Sequence, residues 1–339
     1  MVEKNQQTPI VSVCVPSYNH ARFIQPCIES IFAQTYQNIQ LIIIDDGSTD
    51  NSPEIIEKTL KNCPFESKLT IRSNKGLVRT LHEGLEMARG DYFAVLASDD
   101  MWLPGFLEHR VNQLQNRPNA VLAYGHCYLI DENNKIFTST ADWAEYEDGD
   151  ARNMLLTKKN GLFAPTVLYR KSALEKQKWN PDIFGEDYEL YLRLTLLGEF
   201  AFESSIFSAY RIHSTNTSRD TEALISTKMH AFELNAESLG LTAKELKDIK
   251  LRLNWETSER YFSSGQRLKA IKAALQYSHI QIPLIAKLRH FAKLLVPNFV
   301  LKVRHQKIKR YRSAWYGIDV RDLIAEQSQT TKHRYNLQE

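Results

Sequence analysis

Val95-Leu96-Ala97-Ser98-Asp99-Asp100 carries an apolar run straight into two adjacent carboxylates. The pattern is that of a buried strand delivering both acids to its C-terminal tip, and in an open α/β sheet that edge is where ligands bind. A second copy lies upstream, where Leu41-Ile42-Ile43-Ile44 runs into Asp45-Asp46-Gly47. Two acidic strand ends in one domain point to a cation, a polyphosphate, or both. Asp also follows strands because it caps helices and favours turns, an explanation that serves one strand end better than two of matching form.

Working outward, apolar runs and helical periods alternate. Ile10 to Val15 reads as a strand closed by the turn cluster Pro16-Ser17-Tyr18-Asn19. Phe23, Cys27, Ile28, Ile31 and Phe32 recur at helical spacing. Ile39 to Ile44 is a nearly continuous aliphatic strand of the kind covered on both faces. Ser52-Pro53-Glu54 opens a helix, Leu69 to Arg72 is a short strand, and Leu77, Leu81, Leu85 and Ala88 line a helix that Gly90 ends. Tyr92 to Ala97, Phe106 to Leu114 and Ala120 to Tyr124 continue as strand, helix, strand. The alternation predicts a doubly wound, mostly parallel sheet flanked by helices.

Asp131 to Asn160 breaks the pattern; it is polar and acidic, either a solvated loop or a lid over a site. Phe163 to Tyr169 resumes strand character, a helix follows Gly185-Glu186-Asp187, and Phe200 to Tyr210 is the last expected strand. From Thr221 onward the reading is helical, with Thr242-Ala243-Lys244-Glu245 as a capping box. The expected division is an α/β domain over residues 1–220 and an α-helical, basic extension over residues 221–339.

With 339 residues and 43% hydrophobic content the chain can bury a substantial core. Its four cysteines lack a C-x-x-C pair, which argues against a zinc site and gives no disulfide framework. The stretch Met1 to Thr8 is polar and lacks the apolar segment that a signal peptide needs, and no apolar run approaches the roughly 18 residues of a membrane span. A reducing cytoplasm is the expected compartment. The net charge of +3 conceals an asymmetry: Arg260 to Ile318 holds 13 of the 43 Lys and Arg and no acid, leaving 30 basic against 40 acidic residues elsewhere. Leu284, Leu288, Phe291 and Leu295 fall on one side of a basic helix that can lie on an anionic membrane or pack on the main domain. Lys302, Arg304, Lys307, Lys309, Arg310 and Arg312 extend the basic run and favour the membrane. No nucleic-acid-binding motif is present, and neither G-x-G-x-x-G nor a P-loop follows the first strand.

Several ordered pieces resemble glycosyltransferase family 2: Val11 to Asn19, Ser30 to Tyr36, Ile44 to Asp50, Asn74-Lys75-Gly76 with Arg79, Ala88 to Tyr92, Ser98-Asp99-Asp100, Gly185-Glu186-Asp187 and Tyr210 to His213. The resemblance spans about Thr8 to Ser218. It implies a GT-A fold, a nucleotide-diphosphate sugar donor with UDP-sugar first, a divalent cation (Mn²⁺ or Mg²⁺), and inverting transfer to a glycan or lipid-linked acceptor. Position by position it implies that Pro16 and Tyr18 line the nucleotide pocket, Asp46 bonds the base with Arg79 nearby, and Asp99 contacts the ribose. Asp100 would ligate the metal, His213 would lie near the diphosphate or metal, and Asp187 would be the catalytic base beside Glu186. Ser98-Asp99-Asp100 replaces Asp-x-Asp here, and Thr80-Leu81-His82 stands where many relatives carry Ala-Arg-Asn. The rival readings are a metal-dependent nucleotidyltransferase and an inactive nucleotide-sugar-binding module.

Overall fold

The computed structural model describes residues 8–157, 161–183, 186–214, 216, 220–263, 265–277, 284–296 and 315–335. Four parallel strands form one half of the sheet: β1 (Val11–Ser17), β2 (Ile39–Asp45), β3 (Glu66–Ile71) and β4 (Tyr92–Val95). The other half contains β5 (Met101–Trp102), β6 (Ala120–Ile130), β7 (Ile136–Ser139), β8 (Leu168–Arg170) and β9 (Glu199–Arg211). The strand order is β3-β2-β1-β4-β8-β6-β9-β5, with β7 paired to β6.

The continuous apolar runs are explained by the two-residue period of a strand. In β2, Ile42 and Ile44 enter one core while Ile39, Leu41 and Ile43 enter the other; in β1, Cys14 goes to the first and Val11, Val13 and Val15 to the second. Helices α1 (Ile24–Phe32), α2 (Ser52–Leu60) and α4 (Phe106–Asn116) cover the second face, and α3 (Leu77–Met87) covers the first. Also on the first face lie α5 (Arg152–Thr157), α6 (Lys171–Lys176) and α7 (Glu186–Leu194). Cys14 is fully buried among these side chains, and burial pushes its thiol up to about 12, so it is a core residue.

The sheet is less uniformly parallel than the alternation predicts. β8 runs antiparallel to both β4 and β6, and β5 and β7 are also antiparallel. Only three residues long, β8 follows a 3-10 turn at Ala164–Thr166 in which Pro165 interrupts the expected strand. The acidic segment after Ile130 is structured up to Thr157: β7, a capped 3-10 turn at Thr140–Asp142 and α5 are anchored by buried Ile136, Ala151, Met154 and Leu155. Ala151, Met154 and Leu155 recur at helical spacing, but over barely one turn, too short a run to stand out from the polar residues around it.

After residue 220 come α8 (Thr221–Leu234), α9 (Ala243–Ser263), α10 (Arg267–Gln276), α11 (Leu284–Leu295) and α12 (Val320–Tyr335). Ile225, Phe232, Ile249 and Leu253 belong to the same core as α3 and α7. Further along, Tyr261, Ala270, Ala274 and Leu294 make a small separate cluster, whereas Val320 and Leu323 pack on Tyr128, Ile130 and Ile136 of the sheet. In α11 the apolar side chains divide: Leu294 and Phe291 face the small cluster, and Leu284, Leu288 and Leu295 are exposed. The basic residues from Lys302 to Arg312 lie outside the described residues.

Candidate active site

The register of the parallel strands brings their C-terminal ends together. Ser17 lies opposite Asp45, and the Leu96 N–H bonds the Cys14 carbonyl beyond the end of β4. The turns at residues 16–20, 45–50 and 96–100 therefore share one sheet edge. The first two are stitched together. Asn19 takes a positive φ of 53°, which Asn tolerates better than most residues, and its Oδ1 accepts the Thr49 N–H at 2.7 Å. The His20 N–H donates to Ser52 Oγ, and buried Asp45 accepts from Ser17 and Ser48. Pro16 and half-exposed Tyr18 flank this turn.

Asp46 anchors the N-terminus of α3. Its carboxylate accepts the backbone N–H groups of Lys75 and Gly76, each at 2.8 Å, and pairs with Arg72. Two of its acceptor sites are thus spent on the loop whose Gly76, at φ 86°, turns the chain into the helix. On the outer side of α3, Arg79 lines a cavity of about 510 Å³ with Lys75, His82, Glu83, Glu86 and Pro181.

Asp99 and Asp100 diverge in role. Asp99 Oδ2 lies 2.8 Å from His213 Nε2, and Asn216 reaches the same oxygen at 3.4 Å. His20 meets the His213 ring edge-on at 5.6 Å, and its Nδ1 is 2.7 Å from Ser98 Oγ. Ligand atoms of His20, Asp99 and His213 all lie within 4.8 Å of one another. Asp100 is buried; its Oδ1 accepts the Arg211 N–H at 2.8 Å, while Oδ2 is buried without a hydrogen-bond partner. Burial first, and then the Asp99 charge, hold the Asp100 carboxyl well above the usual carboxylate range. Arg211, fully buried over the Phe23 ring, donates to the Asp99 and Asp131 carbonyls and fixes the turn that carries both acids.

Two imidazoles and a carboxylate fit a divalent cation, and the next residue, Asp100, keeps one buried carboxylate oxygen without a hydrogen-bond partner. The donor set suits Mn²⁺ or a similar transition ion better than Mg²⁺, which favours all-oxygen ligation. Burial lowers the pKa of His20, which keeps its imidazole neutral and able to ligate.

Asp187 belongs to a second group. The buried indole of Trp179 donates its Nε1–H to Asp187 Oδ1 at 3.1 Å, and His82 of α3 bonds the Trp179 carbonyl at 2.9 Å. Burial raises the Asp187 pKa above the ordinary carboxylate value, opposed by the Trp179 hydrogen bond. From behind, α7 is held by the buried Glu189, which pairs with Arg193 and accepts from Asn235 at the end of α8. Gly185 and the Glu186 side chain lie outside the described residues.

Sequence reasoning missed His20, Arg72, Trp179, Arg211 and Asn216. His20 carries a faint signal, as the polar residue directly after the first strand's turn. Arg211 lies within the family piece Tyr210 to His213 but is given no role there, and it and the others acquire their roles through partners 8 to 117 positions away.

Residues 12–177 match the family described as Glycosyl transferase family 2. An uncharacterised glycosyltransferase of Haemophilus influenzae is 27% identical over 90% of this chain and 97% of its own length; one from Nostoc sp. is 28% identical over 72% and 77%. Among solved structures, the mannosyltransferase PcManGT from Pyrobaculum calidifontis, in complex with GDP-Man and Mn²⁺, superposes with a TM-score of 0.58 at 15% identity, covering 90% of this chain and 86% of that one. S. aureus TarS in complex with UDP gives 0.55 at 16%, covering 97% and 92%. These likenesses establish a GT-A type α/β fold with a helical C-terminal part. The family match, the strand-end acids and the relatives agree in placing residues 12–177 of this chain within glycosyltransferase family 2.

Proposed function

We propose that the protein is an inverting, metal-dependent glycosyltransferase that moves a sugar from a nucleotide-diphosphate sugar to an acceptor hydroxyl. The observation that carries the reading is the Asp99–His213–His20 cluster at the carboxyl edge of the sheet, next in sequence to Asp100 with its buried, partnerless oxygen. We assign the cation to His20, Asp99 and His213, with Asp100 adjacent. When bound, it would supply Lewis-acid stabilisation of the leaving diphosphate. This differs from the sequence reading in giving Asp99 a share of the metal rather than the ribose alone.

The remaining roles fall to the chain's own side chains. Tyr18 and Pro16 line the nucleotide pocket, and Asp46, already bonded to Arg72, orders the α3 loop toward the base, with Arg79 nearby. Asp187 removes the acceptor proton as that oxygen attacks the face opposite the leaving group. Its raised pKa makes it a stronger base than an exposed carboxylate, and the Trp179 N–H aims it. Glu186 stands next to it in sequence. Inversion in one displacement needs no covalent intermediate.

The donor we assign is a UDP-sugar; the complexes of the structural neighbours, with UDP-GlcNAc, UDP and GDP-Man, support a nucleotide sugar. The acceptor we assign is a surface-polysaccharide or lipid-linked glycan at the cytoplasmic face of a membrane; one relative, matched over 33% of its length, is the chondroitin synthase of Escherichia coli. Residues 1–220 would hold the catalytic groups and residues 221–339 the basic helical extension.

A thermal-shift screen of nucleotide sugars with Mn²⁺ identifies the donor, since a ligand of the native state alone raises its stability. Turnover with that donor should release nucleoside diphosphate, and Asp187→Asn should cut kcat roughly a hundred- to ten-thousandfold while leaving donor affinity intact. Release of pyrophosphate would instead indicate nucleotidyl transfer. Unchanged turnover in Asp187→Asn overturns the assignment of the base.

A further inference from the structure

Helix α11 presents more apolar surface than its fold covers. Leu294 is 2% exposed within the small C-terminal cluster, while Leu284, Ile285, Leu288 and Leu295 are 69%, 64%, 59% and 78% exposed. Leu284, Leu288 and Leu295 fall in one stripe, as residues four and eleven apart do on a helix. The neighbouring α10 packs against α11 and turns Leu268 and Leu275, 84% and 62% exposed, away from its buried alanines. Six large aliphatic side chains on two adjoining helices exceed the scattered exposure normal for a surface.

The charge around them identifies the partner. Lys272, Arg289 and Lys293 are exposed on the same helices, within a stretch that holds 13 Lys and Arg and no acid. Self-association through this face would set cation against cation. Single-stranded nucleic acid would use the charges but gains its stacking energy on aromatic rings, and the exposed apolar side chains here are aliphatic. An anionic lipid surface satisfies both features, since aliphatic side chains enter the acyl boundary while Lys and Arg meet the headgroups. No described helix is long and apolar enough to cross a membrane, and α11, at 12 residues, spans about 18 Å against the roughly 30 Å of a bilayer core.

We propose that the outward leucines of α11, joined by Leu268 and Leu275 of α10, form an interfacial docking face that seats the protein on an anionic membrane with both helices lying in its plane. The inference rests on the reading that the acceptor is membrane-bound, but not on the transfer chemistry, and it names the surface that meets the lipid. None of these residues touches the candidate active site.

The test is cosedimentation of the full chain with phosphatidylcholine vesicles, with and without phosphatidylglycerol. The wild type should bind the anionic vesicles selectively, and added salt should weaken binding. Leu284→Glu with Leu288→Glu should lower the partition coefficient by more than about tenfold, and Lys272→Gln or Arg289→Gln by about fivefold each. All four substitutions lie at exposed positions and should leave Tm unchanged, and transfer to a water-soluble acceptor should persist. Binding that survives the paired leucine substitution overturns the proposal, as does absence of binding by the wild type. A fall in Tm without a change in vesicle binding would mean that another part of this chain covers the face. A wild-type dimer that the leucine variant dissociates, again without vesicle binding, would mean that a second copy does. Loss of transfer to a soluble acceptor would count against the enzymatic reading and leave the docking result standing.

Discussion

Asp187 faces two demands at once. Burial raises its pKa, so the fold disfavours the ionised form that a general base requires. A carboxyl whose folded pKa lies above its unfolded value stabilises the protein fully below the unfolded pKa and loses that contribution as pH rises through the folded one. Asp187→Asn should therefore raise Tm at mildly alkaline pH, with the gain disappearing below the ordinary carboxylate range, while activity is lost. Trp179 opposes the burial effect, because its N–H favours the charged form. Trp179→Phe should move the acid limb of the kcat–pH profile to higher pH and reduce kcat most at low pH; a parallel drop at every pH would leave the indole a packing role only. At the other group, Mn²⁺ with nucleoside diphosphate should raise Tm, and Asp99→Asn or His213→Ala should abolish the cation-dependent part of that rise. An undiminished shift in both variants would remove them from the metal site.

At the scale of elements, the site depends on how closely α3 and the turn that follows it approach β1. Gly90 illustrates the tolerance: a Cβ there would lie 2.4 Å from the Ile10 carbonyl oxygen and 2.8 Å from the Ser12 nitrogen, both backbone atoms that cannot step aside. Ser12 Oγ also accepts the Gly90 N–H in this contact. Gly90→Ala should cost about 1–3 kcal/mol of stability, measurable by urea denaturation. A change below that range would mean that the β4 approach can open without penalty. Sequence pattern alone makes Gly90 a helix terminator, whereas α3 ends at Met87 and the glycine serves this crossing instead.

Over the whole molecule, the helices after residue 220 share a core with the α/β part. Ile225, Phe232 and Leu253 pack in the same cluster as Phe93 and Tyr191, and Asn235 bonds Glu189 directly behind Asp187. The core therefore runs across residue 220, and a fragment ending there should expose it. It should lose its cooperative unfolding transition and bind the dye ANS. A fragment that melts cooperatively near the full-length Tm would make the extension dispensable for folding.

The strands and the acids at their tips were legible because their signals are local. The run from Leu41 to Ile44 splits by a two-residue period into two cores, and an apolar run ending in Asp45-Asp46 or Asp99-Asp100 can be read without knowing any partner. The division of duties between Asp99 and Asp100 was not legible, since it depends on His213, 114 positions away, and on the Arg211 N–H. The same holds for Trp179, a lone aromatic in sequence that becomes the partner of Asp187 only once α7 is in place, and for Leu284 and Leu294, equal as letters but opposite in exposure. What the sequence by itself determined was the layered α/β architecture, the acidic strand ends and the family, because periodicity and motif order are properties of neighbouring residues. Only the tertiary structure decided which acid meets which histidine, how the sheet departs from parallel, and which leucines remain outside, because burial and long-range hydrogen bonds exist only after the chain has packed.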